Sequence, residues 1–143
     1  MSSAKRVDPF PCSSSLPWAP FDPPVPLPNG DVIDDVVVIG TDAPLGQYGS
    51  HMLEVGQSIV ERRVGGEVGG ARIRCTVGTE GLQRLEQVSP DLIAAALAAG
   101  DLSPDLSASW GPGCHVIEVE YCDSVRLTVI MLDPHDRERV AIA

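Results

Sequence analysis

The most regular pattern of apolar and polar positions lies in the C-terminal third of the chain. From Cys114 the side chains alternate: His115, Ile117, Val119 and Tyr121 fall on one face of an extended strand, and Cys114, Val116, Glu118 and Glu120 on the other. After Cys122-Asp123-Ser124 the alternation resumes with Val125, Leu127, Val129 and Met131. A hairpin must put both apolar faces on the same side, because a slip of one residue turns a whole strand inside out. This condition predicts Tyr121 opposite Val125, a three-residue loop, and the cross-strand pairs Glu120–Arg126 and Glu118–Thr128.

Elsewhere the pattern is shorter. Val36-Val-Val-Ile39 reads as a buried strand of β-branched residues. Ile59 to Val64 is a second strand candidate, and Ala71 to Val77 a third, with Ala71, Ile73, Cys75 and Val77 expected to point inward and Arg72, Arg74 and Thr76 outward. The segment from Thr41 to Gln57 shows no period and many small residues, and is expected to be a loop. Thr79 is expected to cap a short helix carrying Leu82 and Leu85. A stronger helix start is Ser89-Pro90-Asp91, with Gly100 as its stop, and the repeated Ser-Pro-Asp-Leu at 103–106 predicts a further helical turn. Arg137 to Ala143 closes the chain as an edge strand.

Together these elements predict an α+β fold: a small, mainly antiparallel sheet of about five strands, one or two helices on one face, and an extended proline-rich N-terminal arm. The division expected is an arm over residues 1–34 and a single α+β domain over 35–143. Residues 8–28 hold eight of the thirteen prolines, a density that removes backbone donors and favours extended, polyproline-like chain. The arm also carries Phe10, Trp18 and Phe21, whereas a linker with no docking role is poor in aromatics. Such a segment is expected to wrap its own domain, to dock on a neighbouring subunit or another protein, or to be a flexible tail; for docking on a partner, Phe10, Trp18 and Phe21, with the repeated Pro17, Pro20 and Pro23, are the candidate residues.

Charge narrows the partners. A formal net charge of −10 opposes nucleic-acid phosphates and anionic membrane surfaces, so the expected partner is a protein, or another copy of the chain engaged through the arm. No apolar run approaches a membrane span and the N-terminus lacks a signal-peptide pattern, which predicts a cytoplasmic protein or one incorporated in a particle assembled there. The four cysteines are expected to be reduced in that compartment.

The closeness of Cys114, His115 and Cys122 raises metal and thiol chemistry. Adjacent strand residues project to opposite faces, and no C-x-x-C or H-x-x-x-H spacing exists, so no metal or cofactor is assigned. Gly65 to Gly70 lacks the helix start that a phosphate loop needs, because a strand follows it. Any small-molecule ligand remains unspecified. The expected function is a non-catalytic interaction or assembly protein, a structural or accessory subunit of a larger complex, phage virions included. The alternatives are an acidic immunity or antitoxin-like binder of a basic target, and a small Cys/His enzyme.

Overall fold

The computed structural model describes residues 30, 32–41, 44–66, 68–132 and 139–142. In chain order the elements are β1 (Asp35–Thr41), α1 (Leu45–Val60), β2 (Gly70–Val77), α2 (Gly78–Arg84), α3 (Pro90–Ala99), β3 (His115–Tyr121), β4 (Arg126–Met131) and β5 (Arg139–Ile142). Short 3-10 turns occupy Leu85–Gln87 and Leu106–Ser109. The class is α+β, with one mixed sheet and three α-helices among the described residues.

The sheet runs β2-β3-β4-β1-β5. Its central strands dictate the architecture. Val36, Val37, Val38 and Ile39 of β1 are all buried, as are Leu127, Thr128, Val129, Ile130 and Met131 of β4. An unbroken apolar strand presents side chains to both faces and must be covered on both. Helix α1 covers one face, packing Met52, Val55, Ile59 and Val60 against Val36, Val38, Leu127 and Val129. On the opposite face Leu85, Ala96 and Leu97 pack against Val37, Ile39, Val116 and Ile130. The expectation of helices on a single face is thus corrected. The sheet is mainly antiparallel, as expected, with one parallel pair: β1 and β4 run parallel with Val38 beside Val129, while the other neighbouring pairs are antiparallel.

Helix α1 occupies most of the loop expected at 41–57 and the first two residues of the strand expected at 59–64, and residues 61–64 form turns beyond its end. A helical stripe is present in the sequence, since the buried positions 49, 52, 55, 56, 59 and 60 recur at three- and four-residue spacing. Glycines at two of the stripe positions, Gly49 and Gly56, hide it from a reading that counts apolar side chains. Gly56 has a steric purpose. A Cβ there would clash with Leu127 Cδ1 and lie 2.9 Å from Cδ2 and 3.2 Å from Cγ, so only glycine lets the helix backbone come this close to β4.

The hairpin β3–β4 has the predicted register, with Glu120 opposite Arg126 and Glu118 opposite Thr128. Tyr121 N donates to Val125 O at 2.9 Å, and Ser124 closes the three-residue loop at φ 70°. In α2 no side chain caps the first turn, so Thr79 is not the cap, and Gly81 is buried where a Cβ would meet Trp110 Cζ2 at 3.0 Å. The start at Ser89-Pro90 and the stop at Gly100 are as read, although the Ser89 side chain makes no capping bond. The last turn begins at Leu106, capped by Asp105, whose Oδ1 accepts from Ser107 N at 3.1 Å and Ala108 N at 3.4 Å.

Phe10, Pro17, Trp18, Pro20, Phe21 and Pro23 lie outside the described residues. The chain enters the domain at Gly30, whose N–H donates to Arg62 O at 2.7 Å just beyond α1. Ile33 packs on the α1-side core, and Asp34 O accepts from Arg126 N at 3.0 Å.

Candidate functional site

Residues suggestive of thiol or metal chemistry are kept apart by the strand. Cys114 is fully buried, its Sγ accepting from Gly111 N at 3.1 Å and lying 3.7 Å from Ser109 O. His115 projects to the other face of the sheet, and Cys122 is exposed at the β3–β4 turn. His51 lies on α1 beside Glu54, with Nδ1 3.5 Å from Oε2. Among the described residues no group of three or more His, Cys, Asp or Glu side chains is arranged to hold a metal ion.

On the α2/α3 side of the sheet, charge crosses four strands in one row: Arg72, Glu120, Arg126 and Asp35 are successive register partners. The ion pairs close between alternate neighbours. Arg72 Nε donates to Glu120 Oε2 at 3.0 Å, and Arg126 Nη2 to Asp35 Oδ2 at 2.9 Å. Arg126 therefore serves Asp35 and not the Glu120 that register alone suggested. Arg84 reaches from α2 to grip both oxygens of Glu118, at 2.9 and 2.8 Å, with Arg74 Nη1 at 3.7 Å. The hydrogen bond from Arg72 holds Glu120 below the ordinary carboxylate range, and those to Glu118 and Asp35 hold Arg84 and Arg126 above the ordinary arginine value. The concavity among these side chains is only about 50 Å³, far below a substrate pocket. Its chemistry is cross-strand pairing, and its signal was present in the sequence: arginines two apart on β2 answer glutamates two apart on β3.

A third charged contact ties the end of α1 to the hairpin turn. The Arg63 side chain is almost wholly buried, donating from Nε to Asp123 Oδ2 at 2.8 Å and from Nη1 to Val60 O at 2.6 Å. Its guanidinium carbon sits 4.9 Å from the centre of the Tyr121 ring. The Arg63 hydrogen bond lowers the Asp123 pKa, and burial raises that of Tyr121.

The surface that stands out is β2. It is an edge strand of eight residues, and its outer edge has no strand neighbour among the described residues. Through the register Ile73–Val119 and Cys75–Ile117 it shares the α1 side of the sheet, but α1 lies over β1 and β4 and leaves it uncovered. Ile73 is 71% exposed and Val77 48%, and Ala71 and Cys75 are exposed with them. The expected inward face of β2 is thus corrected to an outward apolar strip. The reason is position: alternation identifies which residues share a face but not whether a helix reaches far enough to cover it. On the reverse face Thr76 is buried under α2.

A separate cleft of about 220 Å³ opens at the C-terminal ends of β1 and β4, lined by Thr41, Leu97, Leu102, Leu106, Ser109 and Leu132 among others. Residues 42–43 and 133–138, which follow those strand ends, lie outside the described residues. No helix among the described residues is long and apolar enough to cross a membrane. In comparisons with known proteins, the chain matches no family model, no curated protein and no solved structure.

Proposed function

We propose that this protein is a non-catalytic interaction and assembly subunit, of the kind from which a larger complex such as a virion is built. Its contact surface is the β2 side of the domain together with the N-terminal arm bearing Phe10, Pro17, Trp18, Pro20, Phe21 and Pro23. The observation that carries this reading is the open strip on β2: apolar Ile73 and Val77 remain exposed on an eight-residue edge strand. An exposed apolar edge of this length is a pairing template that proteins otherwise blunt. Here the charges of Arg72 and Arg74 are turned to the other face and tied to Glu120 and Glu118.

Light scattering on the full chain tests the reading. The expected species exceeds the 15.1-kDa monomer and falls back to it on Ile73→Asp. A 15.1-kDa species at every accessible concentration overturns it.

A further inference from the structure

We propose that β2 forms a two-fold dimer, in which the β2 strands of two copies pair antiparallel about Cys75 and join two five-stranded sheets into one. Pairing of this kind rests on the reading of the β2 side as a contact surface and names its occupant, a second copy of this chain.

The backbone groups that face outward on β2 follow from the ladder. Tyr121 N donates to Val125 O, so the odd-numbered residues of β3 turn their amides and carbonyls to β4 and the even-numbered ones turn theirs to β2. Glu120, Glu118 and Val116 are the register partners of Arg72, Arg74 and Thr76, which are therefore the β2 residues bonded to β3. The bond from Gly78 N to Cys114 O falls at the next even position and agrees. Ile73, Cys75 and Val77 direct their N–H and C=O groups to the open edge, and their side chains are exposed as well.

The ladder also bounds that edge. Its register shifts between Gly70 and Arg72, and Gly78, at φ 58°, turns the chain into α2. The regular outward set is 73, 75 and 77, with Cys75 at its centre. A two-fold axis at Cys75 sets Cys75 opposite Cys75 and Ile73 opposite Val77 on either side. Each of these pairs exchanges two N–H···O bonds. No other two-fold centre pairs all three residues among themselves.

The side chains select the same centre. On the face toward Ile73 and Val77 the cross-strand pairs are apolar, and on the reverse face Arg74 lies opposite Thr76. A centre at Arg74 would set Arg74 against Arg74, and one at Ile73 would set Arg72 against Arg74 twice. Like charges directly opposite one another are destabilising. Parallel pairing in register would oppose each arginine to its own copy and would not close. Each copy carries a net charge of −10, but β2 contains no carboxylate and its arginines are tied to Glu120 and Glu118. Two acidic chains can therefore meet at this edge without like charges face to face.

The position of Cys75 makes the register testable in the full chain with Cys12→Ser and Cys122→Ser. Opposed residues of a bonded pair have Cα atoms about 5.5 Å apart, within reach of a disulfide. Diamide, which takes up the two hydrogens the thiols give up, is expected to convert this chain to a covalent dimer. Moving the thiol by Cys75→Ser with Arg74→Cys should abolish the reaction, since the two thiols then sit on a diagonal of about 7–8 Å. Cross-linking of the moved thiol as fast as Cys75, or faster, overturns the pairing. Hydrogen exchange on the unmodified chain gives a readout free of thiol chemistry. The amides of Ile73, Cys75 and Val77 should exchange about tenfold faster on dilution to monomer, as for an edge paired about 90% of the time, while those of Arg72, Arg74 and Thr76 stay protected throughout. Light scattering separates the two readings. A chain larger than a monomer whose outward amides and Cys75 remain free overturns the two-fold pairing and leaves the assembly function standing. A chain that is monomeric at every accessible concentration overturns both.

Discussion

Replacing Gly56 by Ala tests whether the approach of α1 to β4 is set by the missing side chain. On an exposed helix surface the substitution stabilises by up to about 1 kcal/mol, because alanine loses less backbone entropy than glycine. Here the new methyl would collide with the side chain of Leu127, which is 1% exposed. Overpacking of that kind costs about 1–3 kcal/mol, so the net expectation is a loss of about 1–2 kcal/mol, or roughly 4–8 °C in Tm for a domain of this size. Gly46, in the first turn of the same helix, has nothing within 4 Å of an added Cβ and is the matched control, expected to be neutral or mildly stabilising. Urea unfolding followed by circular dichroism gives both numbers. Leu127→Ala alone should cost about 2–5 kcal/mol, but combined with Gly56→Ala it should cost less than the sum by about 2 kcal/mol, because the clash is gone. A stabilising Gly56→Ala, or strict additivity in the pair, refutes the steric account.

Three further outcomes follow from other contacts. Arg63→Met should lower stability by about 1–3 kcal/mol in the same assay, since it removes charge-assisted bonds to Asp123 and the bond to Val60 O in a buried site; an unchanged midpoint would mean that α1 and the β3–β4 turn are held by apolar packing alone. Asp123 and Glu120 are held below their ordinary pKa by Arg63 and Arg72, so their contribution is complete above the unfolded carboxylate value of about 4 and is lost as pH falls through the lower folded values. Stability should therefore decline between about pH 5 and pH 2, less steeply in Asp123→Asn, as measured by Tm against pH. Cys114 is fully buried while Cys122 is exposed, so a thiol reagent should modify Cys122 in the native state and Cys114 only on unfolding; rapid native labelling of Cys114 would contradict its burial.

The elements legible in the sequence were those whose periodicity survives in the side chains. The β3–β4 register follows from two alternating runs and one requirement, that their apolar faces coincide, and Ser89-Pro90 to Gly100 from local backbone chemistry. Helix α1 was not legible, because glycine at positions 49 and 56 looks like a loop signal where it is a packing surface. A stripe counts as apolar when its residues can be buried, and glycine against leucine qualifies.

The β2 strip exposes a different limit. Alternation grouped Ala71, Ile73, Cys75 and Val77 correctly, and the inference that an apolar face is a buried face then failed, because burial depends on the reach of α1 across the sheet. The same failure is informative about function. Sequence that obeys the rules of a covered strand, found uncovered at a sheet edge, is the observation on which the proposed contact surface rests. The oligomeric state of the full chain, more than any property of the core, is therefore the measurement on which the functional reading turns.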